Sequence, residues 1–108
     1  MKNFLEKGLV MQIIATAAIT GGTVQKVGDI IGVAVTDAKV DEPVAIDIVG
    51  VFTDLPKSAG AAFGVGDKLY WDATAGNFTK IASGNTLAGH AWLAANASST
   101  TCVVRLSN

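Results

Sequence analysis

The sequence predicts an all-β fold, a small antiparallel β-barrel or a jelly-roll-like sandwich, and three observations lead there. β-branched residues gather in short runs, as strands favour. Glycine, asparagine and aspartate punctuate those runs and supply residues that tolerate positive φ in turns. Half of the 108 residues are apolar and 16% are charged, a balance that excludes intrinsic disorder and provides a core. A chain of this length reads as one domain spanning residues 1–108. Folding it should bury roughly two-thirds of the unfolded surface.

The first expected strand is Leu9–Ala15. Lys2 and Lys7 ahead of this apolar run, with Ala15-Thr16-Ala17 after it, imitate a secretory signal. Glu6 in the basic stretch and Gln12 in the apolar one do not fit a signal, so a strand ending before the Gly21-Gly22 turn is the better reading. Thr23–Val27 follows and turns at Gly28-Asp29. In Ile30–Thr36 the large residues Ile31, Val33 and Val35 share one face, and Gly32, Ala34 and Thr36 share the other. That small face suits close packing against another element or another subunit. Asp41-Glu42-Pro43 ends one strand and opens the next, with proline where its missing N–H costs least. Pro43–Ile48 puts Val44, Ile46 and Ile48 on one face, and Val51–Thr53 is a short strand after it.

Leu55–Gly66 is the least strand-like stretch. Pro56 lacks a sheet donor, and Ser58–Phe63 reads as a helical turn or a surface loop. With few charges it is a candidate contact loop, its Phe63 either meeting a partner or tucked into the core. Lys68–Asp72 aligns Leu69 with Trp71, a core pattern, and Asn77–Ile81 follows the turn at Ala75-Gly76-Asn77. Past Ser83-Gly84-Asn85, Leu87–Ala94 carries His90 and Trp92 on one face, both with polar tips, as core or as a contact patch. Thr101–Leu106 closes the series with Cys102, Val104 and Leu106 facing one way.

Two faint echoes run through the chain. Val27-Gly28-Asp29 resembles Val65-Gly66-Asp67, and Gly32-Val33-Ala34 resembles Gly89-His90-Ala91. Three-residue matches do not establish a repeat.

Chemistry is mostly absent. A net charge of −1, from eight basic and nine acidic residues, argues against nucleic-acid binding. No run reaches the ~18 apolar residues of a membrane-spanning helix. One cysteine precludes an intramolecular disulfide or a cysteine-based zinc cluster. Neither phosphate-binding glycine motif occurs, so no nucleotide cofactor is expected. Asp37, Lys39, Asp41 and Glu42 crowd one turn, but their spacing fits no calcium loop and reads as a solvated turn. His90 and Cys102 could form a pair across strands, although no orienting residue is visible. The triplets at Asn77 and Asn96 read as chance glycosylation matches.

An ordered series of motifs carries a resemblance. It runs through Met1-Lys2-Asn3-Phe4, Gly28-Asp29, Gly32–Ala38, Glu42-Pro43-Val44-Ala45, Gly50-Val51-Phe52 and Leu55-Pro56-Lys57. It continues through Gly66–Asp72, Asn85–Ala91 and Cys102–Leu106. This series resembles the capsid cement or decoration proteins of tailed bacteriophages, a family long described only as a domain of unknown function. The recombinase label that some members carry is at odds with the missing nucleotide-binding loop. The resemblance implies a β-barrel or jelly-roll-like domain without catalysis or cofactor. It also implies binding to the outside of the major capsid protein shell in the virion, as a dimer or, less favoured, a trimer.

Three functions compete. The first is the cement protein, with Phe4, Leu5, Phe63, His90 and Trp92 as candidate contact residues. Residues 1–8 would then form a contact arm, since termini fray unless tied to something. The second is a small ligand-binding or enzymatic barrel using His90, Trp92 and Cys102. The third, a surface adhesin, requires the amino terminus to be a signal.

Overall fold

The computed structural model describes residues 8–107. It is all-β: nine strands and, among the described residues, no helix. They are β1 (Val10–Ile14), β2 (Val24–Val27), β3 (Ile30–Ala34), β4 (Pro43–Asp47), β5 (Gly50–Pro56), β6 (Lys68–Asp72), β7 (Asn77–Thr79), β8 (Thr86–Ala91) and β9 (Thr101–Leu106). Every run expected from the sequence forms a strand. Ends shift where turns intrude: β8 stops at Ala91, so Trp92 and Leu93 lie in a bend rather than in the strand.

The largest departure is β5. It continues through Leu55 and Pro56, which pair with Cys102 and Thr101 on β9, although Pro56 suggested that no sheet partner was possible. β5 is an edge strand, where a missing donor is tolerated. The register slips between Phe52 and Leu55, and Asp54 there adopts φ 57, so a bulge turns the strand and lets pairing resume.

Two sheets result, ordered β1-β4-β3-β2 and β5-β9-β8-β6-β7, with all their strand pairs antiparallel. Without β7 the second order repeats the first. The crossovers repeat as well. Ile19 and Ala38 exchange two backbone hydrogen bonds, as Phe63 and Ala95 do. Gly22 N donates to Ala34 O at 2.8 Å, and Gly66 N donates to Ala91 O at 2.8 Å.

One of the two echoes falls on this repetition. Val33 pairs with Asp47 as His90 pairs with Arg105, so Gly32-Val33-Ala34 and Gly89-His90-Ala91 are counterparts. Both glycines are required by a close neighbour. A Cβ on Gly32 would meet Ile46 Cγ2 and lie 2.7 Å from Asp47 O; one on Gly89 would fall on Arg105 O. The other echo does not correspond. Gly28 turns the β2–β3 hairpin, whereas Gly66 precedes β6 and is the counterpart of Gly22.

Two cores follow from the alternation of side chains. The larger gathers Leu55, Phe63, Leu69, Trp71, Phe78, Cys102, Val104 and Leu106, joined by Ile31 and Val33 from β3. The smaller holds Ala15, Ala34, Ala38, Val44 and Ile46. The small face of β3 does pack closely, with Ala34 in the smaller core, while Ile31 and Val33 of its large face join the larger core with the other sheet and Val35 stays half exposed.

Candidate interaction surface

The candidate residues separate once their faces are known. Phe63 is 2% exposed and belongs to the larger core, so its ring offers no surface to a partner. The loop around it is held by the Phe63–Ala95 bridge and by Lys57, whose Nζ lies 5.0 Å from the ring centroid. Lys57 is itself buried and donates to Ser58 O at 2.9 Å. The contact role expected of Phe63 is thus corrected to packing. Phe4 and Leu5, and the proposed arm except Gly8, lie outside the described residues.

Cys102 points inward beside Leu55, its Sγ 3.5 Å from Leu55 O. Burial pushes its thiol up to about 11, with Lys57 pulling weakly the other way, so it is neutral at physiological pH. His90 pairs with Arg105, and Arg105 is an odd number of residues from Cys102 along β9. Strand alternation therefore sets His90 and Cys102 on opposite faces of the sheet. The structure does not bring this pair together for nucleophilic chemistry.

His90 lies instead on the outer face of the five-stranded sheet. Across four strands one row reads Val51, Arg105, His90 and Lys68, so two cations flank the imidazole. Next to this row a shallow groove of about 340 Å³ is lined by Val65, Gly66, His90, Ala91, Trp92 and Arg105. Its walls are mostly apolar. Trp92 is 52% exposed and Val65 71%. The backbone under them is fixed: Trp92 N donates to Val103 O at 2.9 Å, and Gly66 N to Ala91 O. Large apolar side chains held on a rigid edge form a patch suited to contact with another macromolecule. Sequence alternation pointed to His90 and Trp92. It missed Val65, which joins the groove because the crossover before β6 folds beside β8.

The acidic turn is occupied locally. Asp37 Oδ1 accepts from Gly21 N at 2.7 Å, and Glu42 Oε1 accepts from Lys39 N at 2.7 Å. No group of three potential metal ligands occurs among the described residues. Asp67 closes another turn, accepting from Gly64 N at 2.8 Å and pairing with Lys80 at 3.4 Å. The Gly64 amide first, and Lys80 with it, hold its carboxyl below the usual range despite some desolvation.

The fold and this surface define an all-β domain whose evident resource is a fixed, partly apolar outer face. A family model described as phage cement protein matches residues 5–106, and the chain belongs to that family. Comparison with curated proteins found no match, and neither did comparison with solved structures.

Proposed function

We propose that this chain binds the outer surface of a tailed-phage capsid and stabilises the shell by bridging neighbouring copies of the major capsid protein. Membership of the phage cement family supports a structural role in the virion. The observation that carries the contact is the exposed Trp92, with Val65, in a groove it shares with His90 and Arg105 and beside Lys68. An apolar anchor rimmed by cations fits a protein surface that offers an apolar recess edged with carboxylates. No bond is made or broken in this role, and no cofactor is required.

Bridging gives many modest contacts a collective strength. A subunit tied at two points rebinds quickly after losing one, because the other keeps the effective concentration high. Self-association, as a dimer in preference to a trimer, multiplies the tie points. Phe4 and Leu5 of the amino-terminal arm would supply further contacts to a second copy or to the shell.

Co-sedimentation with undecorated shells tests this reading. The wild-type chain should pellet with shells to a fixed stoichiometry. Trp92→Ala should weaken binding by about 2 kcal/mol or more, the size of a central aromatic contact, with its melting temperature unchanged. Wild-type chain that stays in the supernatant at saturating concentration would refute the reading.

A further inference from the structure

The repetition between the two sheets has one break. In the five-stranded sheet, β7 lines the outer edge of β6, with Phe78 opposite Trp71 and their rings 4.9 Å apart, edge to face. β7 also reaches the chain just past β5: Ser58 N donates to Phe78 O at 2.9 Å, and Lys57 bridges Phe78 in parallel. In the four-stranded sheet the corresponding edge is β2 and the corresponding chain is Ala15-Thr16. Ala15 N donates to Glu42 O just as Lys57 N donates to Thr100 O. Between that edge and that chain lies a groove of about 330 Å³ lined by Ile13, Ile14, Thr16, Ile19, Gln25 and Val27, among others. Gln25 and Val27 are the counterparts of Leu69 and Trp71. Among the described residues, nothing pairs with the outer edge of β2, and Thr16 N, the counterpart of Ser58 N, donates no backbone hydrogen bond.

We infer that Asn3-Phe4-Leu5 of a second copy of this chain adds as a strand to the outer edge of β2. It fills this groove as Asn77-Phe78-Thr79 fills its counterpart. Three things select that occupant. The amino-terminal segment repeats the Asn-Phe pair of β7 and follows it with another strand-compatible residue. An open sheet edge accepts an extended segment through backbone bonds and takes alternate side chains into pockets. Reach then decides between copies. The chain that the segment would lie beside, Ala15-Thr16, stands ~23–26 Å past Gly8 at the rise of an extended strand, and neighbouring strands lie only ~5 Å apart. The link from Leu5 to Gly8 spans ~11 Å at most. A chain cannot put its own Leu5 there, and a neighbouring copy can. In the antiparallel register of β6 and β7, Phe4 stands opposite Val27 and Leu5 opposite Lys26.

The inference deepens the oligomeric part of the proposed function, and its test needs no capsid. Phe4→Cys and Val27→Cys are made as separate full-length variants, mixed and oxidised gently. Directly opposed strand residues fall within disulfide range, and the native Cys102 is buried. A covalent dimer from the mixture is expected, several-fold above that from Phe4→Cys mixed with Val10→Cys. Carrying both substitutions on one chain should give linked chains. An internally linked monomer would overturn the inference in favour of closure within one chain. Dimers from Val27→Cys alone, exceeding the mixture, would overturn it in favour of β2 pairing with β2. No dimer above the control would also overturn it. As an independent readout, Phe4→Ala should lower the weight-average mass of the full chain in sedimentation while leaving its circular dichroism unchanged; an unchanged mass counts against the inference. Shell binding by the wild-type chain without the cross-link sinks only the inference. The cross-link without shell binding sinks only the cement reading.

Discussion

Among the described residues, the five-stranded sheet joins its two edges and the four-stranded sheet does not, although both follow one chain plan. A strand of three residues makes the difference. With β7 in place, the larger core encloses Phe78, Leu69 and Leu106 completely. Without a counterpart, the smaller core relies on alanines with Val44 and Ile46. The described residues thus form a sheet able to support a rigid outer patch and another whose outer β2 edge they leave open. The difference separates what the fold needs for itself from what it offers to others.

The largest effect should come from removing the closing side chain. Phe78→Ala deletes a fully buried ring and should cost about 3–5 kcal/mol by urea denaturation. Val27→Ala, at the open edge of the other sheet, should cost the isolated chain about 1 kcal/mol or less. Equal losses would break the comparison, since both edges would then matter alike.

The paired glycines sharpen it. Gly89→Ala drives a methyl group into the backbone of β9 and should cost about 1–3 kcal/mol or more by thermal denaturation. Gly32→Ala should also destabilise but cost less, because the backbone oxygen its methyl would meet, Asp47 O, lies 2.7 Å away rather than overlapping it as Arg105 O does at Gly89. A neutral Gly89→Ala would contradict the close approach of β8 and β9.

Most of the fold was legible because its signals are local. Alternation in Pro43–Ile48 and Thr101–Leu106 assigned the inward faces of β4 and β9, and the turns were marked by residues that accept positive φ. The extension of β5 through Pro56 was hidden, since it depends on an edge position and on a bulge at Asp54. The repeated plan left one readable trace, Gly32-Val33-Ala34 and Gly89-His90-Ala91, because only the glycines there are constrained by a neighbouring backbone. Elsewhere the halves share hydrogen bonds and not side chains. The surface patch was half legible. His90 and Trp92 could be placed on one face, but Val65 reaches it through tertiary folding. Phe63 carried no signal to separate a buried ring from an exposed one.

Smaller effects concern single groups. Cys102→Ala should cost about 1–2 kcal/mol and leave shell binding intact. The raised Cys102 value also has a sign: the unfolded thiol ionises first, so this group's contribution is full below about pH 9 and lost as pH rises toward 11. Denaturation midpoints of wild type and Cys102→Ala should therefore converge across that range. The smallest effect belongs to Asp67. Its lowered carboxyl favours the folded chain above the usual carboxylate range and loses that contribution as pH falls through and below it. Asp67→Asn should flatten the acid limb of the stability curve slightly, and an unchanged acid limb would remove Asp67 from the account.

Cryo-electron microscopy of shells decorated with the purified chain tests the central claim most directly. Density is expected on the outer surface at junctions between major capsid protein copies, with Trp92 and Val65 facing the shell. Shells that remain bare at saturating protein, or carry density resting on one capsid subunit with Trp92 turned to solvent, would contradict it.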